Sequence, residues 1–253
     1  MNDLSITNRR PLHCCAVSDL HGHLPKDVPE CDVMFCCGDI VPLDYQSDTI
    51  KSVSWFLLEF VPWVDSLPCK KFVFIGGNHD FFLESLACSN NMQIMTRSSN
   101  DVMKRLLVGN HKGRHNKLVY LMDNSYEYEG YRFYGTPWTE DLSRWAFYKN
   151  EEEIKGTYNN IPKQCDVLLT HMPPITNDCG MVRQHGCFNT FAQYGSQALA
   201  EAIADRDIRW SLCGHVHSGN HVPELIGGTN YVNVSLKDEN YKVGYPIFEF
   251  DLN

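Results

Sequence analysis

Short, mostly apolar runs recur along the chain and end at glycine, proline or polar clusters. They cover residues 12–17, 33–37, 72–75, 119–122, 167–170, 210–213, 231–234 and 246–250. Continuous apolar runs of this length predict strands buried on both faces. Residues 126–135 alternate instead, with Tyr131, Phe133 and Gly135 on one side, which predicts a further strand. Helices are predicted over 49–65, 81–87, 101–108, 140–149, 151–160 and 196–206. In the last of these Leu199, Ala202 and Ile203 share one face and Ser196 is placed to cap the start. Strands alternating with helices point to the α/β class, and Tyr-rich strands in the middle and near the end point to mixed sheets. No linker, repeat or low-complexity tract interrupts the pattern, so residues 1–253 are expected to form one domain.

Bulk composition narrows the function classes. With 253 residues, 43% apolar and 21% charged, the chain can bury a large core. Its net charge of −9 argues against a partner held by its phosphate backbone, such as long nucleic acid. The polar N-terminus lacks the pattern of a signal peptide, and no run is long enough to span a membrane. Eleven cysteines include many inside the apolar runs and no Cys-x-x-Cys pair. This reads as free thiols in a reducing cytoplasm rather than a zinc knuckle or redox pair.

The chemistry lies in five short blocks, most of which follow an apolar run. They are Asp19-Leu20-His21, Gly38-Asp39, Gly76-Gly77-Asn78-His79-Asp80, Thr170-His171 and Gly214-His215-Val216-His217. Asp19 and His21 are two apart, as are His215 and His217, so on an extended chain each pair shares a side. Asp39 has two carboxylate oxygens with which to bridge two ions. Asn78 offers a neutral amide oxygen, and His171 stands between a strand and Pro173-Pro174. Imidazole, carboxylate and amide together suit two divalent ions of Mn, Fe, Zn, Co or Ni, with Mn favoured in vitro, better than Mg or Ca. Such a pair acidifies a bridging water and neutralises phosphate oxygens. His79 is then placed to protonate the leaving oxygen. Gly109-Asn110-His111 repeats the third block, but after a helical pattern, so it reads as a helix cap.

These blocks resemble the motif set of calcineurin-like metallophosphoesterases, from about Leu12 to Ser235. The resemblance implies a four-layer αββα sandwich of two mixed sheets flanked by helices. It implies Asp19, His21, Asp39 and His217 around one ion and Asp39, Asn78, His171 and His215 around the other, with His79 as general acid. Tyr134-Gly135-Thr136-Pro137-Trp138-Thr139, Trp145-Ala146-Phe147 and the segment 166–174 look like the metallophosphoesterase-domain-containing subfamily. That subfamily is similar to class III cyclic-nucleotide phosphodiesterases and is associated with purine nucleotides and slow phosphodiester hydrolysis. The second acid and the arginine of protein Ser/Thr phosphatases are missing here, where Pro42-Leu43-Asp44 and Gly76-Gly77 stand. No partner for His79 can be named from the sequence. The expected function is metal-dependent hydrolysis of small phosphoesters, diesters or nucleotide derivatives above all. A monoesterase, a nuclease or a nucleotide-binding scaffold are the alternatives. Specificity is expected from residues 173–195 and Trp138, with Phe188, Phe191, Arg183, His185 and Asn189 as candidate contacts.

Overall fold

The computed structural model describes residues 9–88, 117–140, 142–184 and 190–253. The expected helix at 101–108, the second Gly-Asn-His copy, Phe188, His185 and Asn189 lie outside the described residues. Numbered in chain order, β1 (Leu12–Val17), β2 (Cys31–Cys36), β3 (Cys69–Phe74) and β4 (Leu118–Tyr120) run parallel. β13 (Phe248–Leu252) pairs antiparallel with β1 and completes a five-stranded sheet. The second sheet has six strands in the order β11 (Glu224–Ile226), β12 (Thr229–Asn233), β10 (Asp207–Cys213), β7 (Gln164–Thr170), β6 (Tyr131–Thr136), β5 (Asn124–Tyr128). Its four central strands are parallel and its two edge strands antiparallel. β8 (Met181–Gln184) and β9 (Thr190–Gln193) form a separate hairpin.

Side-chain alternation builds the layers. In β1, Leu12, Cys14 and Ala16 join an inner cluster with Phe35, Val73 and Ile75 of the first sheet and Phe133, Val167, Leu169, Leu212 and Val232 of the second. Phe35 and Phe133 meet edge-on across the two sheets, ring centroids 5.0 Å apart. The intervening residues Cys15 and Val17 belong to an outer cluster with Phe56, Phe60, Ile154, Tyr158, Leu199 and Ile203 from the helical segments. Both faces of the central strands are therefore covered, which is why their sequences are apolar without alternation. Each large side chain buried this way contributes about 1.5–3 kcal/mol. The cysteines of these strands are free and buried, used as small hydrophobes. Among the described residues no helix is long and apolar enough to cross a membrane.

The expected helix at 49–65 is realised with a wide turn in it. Asp48 caps α1 (Thr49–Trp55) by accepting from the amides of Ile50 and Lys51. A π turn over Phe56–Phe60 leads into α2 (Val61–Ser66). Pro62 has no N–H for the preceding turn, and the wider turn relieves the clash of its ring. α3 is Phe81–Cys88. α4 (Glu151–Tyr158) starts at a capping box between Asn150 and Glu153. α5 (Gln197–Ile203) is capped by Ser196, as expected.

Two readings of the pattern are corrected. The helix expected at 140–149 is a series of turns over the described residues 142–149. Its amides bond elsewhere: Ala146 N–H donates to Asn78 O, Phe147 N–H to Glu84 Oε1 and Lys149 N–H to Thr139 O. The single strand expected at 126–135 is the hairpin β5–β6, turning at Glu129 and Gly130 with both φ positive. Tyr131, Phe133 and Gly135 do share a side, and a Cβ on Gly135 would collide with Leu121 and Ile75 across the inner core.

Candidate metal centre and active site

The five blocks converge where strands of both sheets end. Asp19 N–H donates to Gly38 O at 3.0 Å, and His21 N–H to Asp39 O at 2.9 Å, zipping the segment after β1 to the one after β2. His215 N–H reaches Asp19 Oδ2 at 3.0 Å, tying the second sheet to the first, and Gly214 N–H reaches His171 O at 3.0 Å, joining the segments after β10 and β7. Asp19, His21, Asp39 and His215 all have left-handed backbone, with φ of 55, 42, 54 and 67°. The extended geometry expected for the Asp19/His21 and His215/His217 pairs is therefore wrong. Tight turns, not strand alternation, aim these side chains. Asp and His tolerate that region better than most residues, and local strain of this kind gathers at functional sites.

Side chains divide into two groups around Asp39. His217 Nε2 lies 3.1 Å from Asp19 Oδ1 and 3.4 Å from His21 Nε2. Asn78 Oδ1 lies 2.8 Å from His171 Nε2 and 2.9 Å from His215 Nδ1. Between the groups, Asp39 Oδ2 is 3.8 Å from His21 Nε2 and 3.4 Å from His171 Nε2. Its other oxygen, Oδ1, accepts the backbone N–H of His79 at 2.8 Å. A single carboxylate oxygen thus faces both groups, rather than one oxygen facing each.

Several observations test whether this set fits metal ions. His171 Nδ1 donates to Cys37 O at 2.7 Å, and His217 Nδ1 donates to Asp238 O at 3.0 Å. These bonds fix the rings so that each Nε2 points inward, the outer-shell arrangement typical of metal-binding histidines. His171 Nε2 then meets the amide oxygen of Asn78, and His217 Nε2 the carboxylate of Asp19. Lone pairs at these distances need a proton or a cation between them. The approach is close enough to demand glycine nearby. A Cβ on Gly77 would lie 2.3 Å from Asp39 Oδ1, and one on Gly214 would lie 2.2 Å from Asp19 Oδ2.

Electrostatics agree. Burial alone would raise the Asp19 and Asp39 carboxyls, but surrounding histidines hold both below the usual range. Burial, only partly offset by these carboxylates, drives His21 and His215 down to about 4, leaving them neutral with lone pairs free. Burial would lower His171 too, yet Asp39 and Asp19 raise it to about 9. A proton held there by two buried carboxylates marks a place a divalent cation can take.

Some contributors were not singled out by the sequence. Asp80 accepts from Ile40 N at 3.0 Å, Val41 N at 3.1 Å and Gly77 N at 2.9 Å, clamping the Asp39 segment to the Asn78 segment. Burial and the nearby Asp39 push its carboxyl up to about 7. Its place in the third block was the available signal. Gln46 accepts from His79 Nδ1, and Tyr241 sets its ring 5.0 Å from both His21 and His217. Neither was signalled by spacing or composition.

The site opens into a cleft of ≈ 460 Å³ whose walls include Trp145, Val182, Tyr194, Glu239 and Tyr241. Trp145 lies 4.4 Å from His79 between ring centroids. Of the segment expected to govern specificity, Val182 and Tyr194 line this cleft, whereas Phe191 is 60% exposed and Arg183 is not among its walls. Trp138 is misplaced by that expectation. It is buried against Phe147, with its N–H donating to Asp123 and Lys149 over its face.

Known proteins resemble this chain over most of its length. The family model described as Calcineurin-like phosphoesterase matches residues 14–219. Human metallophosphoesterase domain-containing protein 1 is 28% identical over 241 residues, covering 93% of this chain and 69% of that protein. A UPF0046 protein of Caenorhabditis elegans is 28% identical over 241 residues, covering 92% of this chain and 76% of that one. The crystal structure of phosphopantetheinyl hydrolase from Mycobacterium tuberculosis superposes with a TM-score of 0.53 at 15% identity, over 90% of each chain, and shares the fold.

Proposed function

The chain belongs to the calcineurin-like phosphoesterase family and is a metal-dependent phosphoesterase, and we propose that it hydrolyses small phosphodiesters, nucleotide derivatives among them, at a pair of divalent ions. Asp19, His21 and His217 would hold one ion and Asn78, His171 and His215 the other, with Asp39 available to both. When bound, the ions supply charge neutralisation at the phosphoryl oxygens and acidify a water. The mixed nitrogen and oxygen donors favour Mn, Fe, Zn, Co or Ni.

The residues themselves divide the remaining work. Asp39 is held by the His79 backbone N–H, and His171 by the Cys37 carbonyl, before any substrate arrives, so little reorganisation is needed. His79 Nε2, 3.8 Å from Asp39 Oδ2, faces the centre and protonates the leaving oxygen. Trp145 and Tyr241 flank His79 and exclude water from it, offering flat apolar faces to a leaving group.

One observation carries the preference for diesters. Among the described residues lining the cleft there are the carboxylates Asp39 and Glu239 but no lysine or arginine. A monoester dianion brings one more negative charge than a diester and finds no side-chain cation to meet it. The test is turnover by manganese-loaded protein of bis-p-nitrophenyl phosphate against p-nitrophenyl phosphate. A kcat/KM at least ~10-fold higher for the diester is expected, about 1.4 kcal/mol of discrimination. A preference for the monoester overturns the diester assignment. No turnover of either substrate, with nucleotide binding retained, favours the scaffold reading.

A further inference from the structure

His79 is aimed at the centre, and what aims it is not a charged group. Its Nδ1 is paired with the side-chain oxygen of Gln46, a half-buried residue in the segment between β2 and α1. That segment is pinned. Tyr45 N–H donates to Pro42 O, Asp48 N–H donates to Tyr45 O, and the fully buried Ser52 donates its hydroxyl to the same Tyr45 oxygen at 2.7 Å. Asp48 in turn caps α1. Gln46 is thus presented from a turn locked to a helix start. On its other side the His79 ring is confined by Trp145 at 4.4 Å and His21 at 4.8 Å. Its backbone N–H is held by Asp39 Oδ1.

We propose that Gln46 is the positioning residue of His79, accepting its Nδ1–H so that Nε2 faces the scissile ester and carries the second ring proton when the imidazole is charged. The proposal rests on the phosphodiesterase reading above. In the reaction, water attacks phosphorus and gives up a proton to solvent, the P–O ester bond breaks, and its electron pair leaves on the departing oxygen. That oxygen takes the Nε2 proton of the charged His79 ring, which is left as the neutral Nδ1–H tautomer bonded to Gln46 and regains its Nε2 proton from solvent. A neutral amide suits this task differently from a carboxylate. It orients the ring without adding a negative charge next to Asp39, in a site that already concentrates buried acids. The bond also explains how this chain manages without the second acid of the protein phosphatases. The orienting group comes instead from seven residues beyond Asp39, at a position no short motif marks.

Gln46→Met keeps the shape of the side chain and removes the acceptor, whereas Gln46→Glu keeps an acceptor oxygen. With manganese-loaded protein, Gln46→Met should lower kcat ~10-fold on phenyl methyl phosphate, whose leaving group needs a proton. It should lower kcat less than ~2-fold on p-nitrophenyl methyl phosphate, whose leaving group does not, and KM should not change. Gln46→Glu should restore most of the loss. Equal losses on both substrates, or a change confined to KM, overturn the proposal. Nitrogen-15 NMR of the ring gives a readout independent of turnover, with the His79 signals identified by their absence in His79→Ala. Wild type should show Nδ1–H at His79, and Gln46→Met should lose it. An Nε2–H tautomer in wild type, or one indifferent to the substitution, overturns the proposal even if the protein hydrolyses neither ester. Loss of turnover of both esters in wild type with the Nδ1–H tautomer intact would count against the phosphodiesterase reading alone.

Discussion

Replacing Asp80 by Ala should weaken the protein more than the loss of one exposed carboxylate would, and replacement by Asn less. Asp80 is fully buried, and both of its oxygens act as acceptors. Oδ1 takes the N–H groups of Ile40 and Val41 at 3.0 and 3.1 Å, and Oδ2 takes Gly77 N–H at 2.9 Å. An amide supplies a single acceptor oxygen. If that oxygen serves Ile40 and Val41, the NH₂ group faces Gly77 N–H, and two donors oppose each other. The cost is one hydrogen bond to a charged group, about 1.5–3 kcal/mol, plus part of the penalty for a buried N–H left unpaired, about 1–3 kcal/mol. Asn also removes a buried charge that burial and Asp39 already disfavour, so the net loss for Asp80→Asn is smaller, about 0–2 kcal/mol. Asp80→Ala leaves all three N–H groups unpaired and should lose about 2–4 kcal/mol, or a Tm lower by about 5–15 °C for a chain of this size. The assay is urea unfolding of metal-free wild type and variants, above the carboxyl's raised value of about 7, where it is ionised. Metal removal matters because bound ions would otherwise hold the same segments together by mass action. A metal-free Asp80→Ala protein within about 0.5 kcal/mol of wild type would show that the clamp does not act.

Other substitutions probe separate parts of the fold. Asp32 is largely buried, which would raise its carboxyl, but Arg10, Lys70 and the His13 N–H hold it down to about 2. Its folded value is depressed, so its contribution is full above its usual value of 3.8 and disappears as pH falls through about 2. Asp32→Asn should therefore cost up to about 2 kcal/mol at neutral pH, less whatever solvent screening of the exposed partners removes, with the gap to wild type closing by pH 2 in acid titrations of urea stability. Gly156 lies in α4 with open space around its Cβ position, so Gly156→Ala should raise stability by about 1 kcal/mol. Gly77→Ala should instead destabilise the protein and lower its manganese stoichiometry by metal analysis, since the new Cβ strikes Asp39 and His171. Unchanged stoichiometry would count against the assignment of those ligands. Tyr241 has φ 58° and covers His21 and His217, so Tyr241→Gly should relieve backbone strain while raising KM for aryl diesters ~3–10-fold. An aryl-diester KM unchanged in the variant would remove Tyr241 from the substrate wall.

What was legible in the sequence follows from how each region is buried. The strands of both sheets are covered on both faces, so runs such as Cys14-Cys15-Ala16-Val17 and Val167-Leu168-Leu169 announce themselves without any tertiary information. Helix starts with a side-chain cap, such as Ser196, were equally plain. The segment 140–149 was misread because Leu142, Trp145 and Ala146 have helical spacing, while its amides are claimed by Asn78, Glu84 and Thr139, all distant in sequence or outside the segment. The π turn was hidden because Pro62 predicts a disturbance in the helix but not its form. At the site, the identity of the gathered residues was readable from residue type, while their geometry was not. Asp19, His21, Asp39 and His215 meet only because each backbone is forced into the left-handed region where the strand ends. Residue patterns describe chains that obey local preferences, and these turns do not. The same argument explains why Gln46, Asp80 and Tyr241 escaped notice. Their roles are set by what crosses from one segment to another, namely the Pro42–Asp48 turn, the Asp39–Gly77 clamp and the loop that also supplies Asp238 O to His217. A site assembled from strand ends therefore carries its chemistry in short motifs and its precision in single residues outside them. Substitutions at those outside residues, rather than at the motif positions, are the ones that separate the aim of this site from its composition.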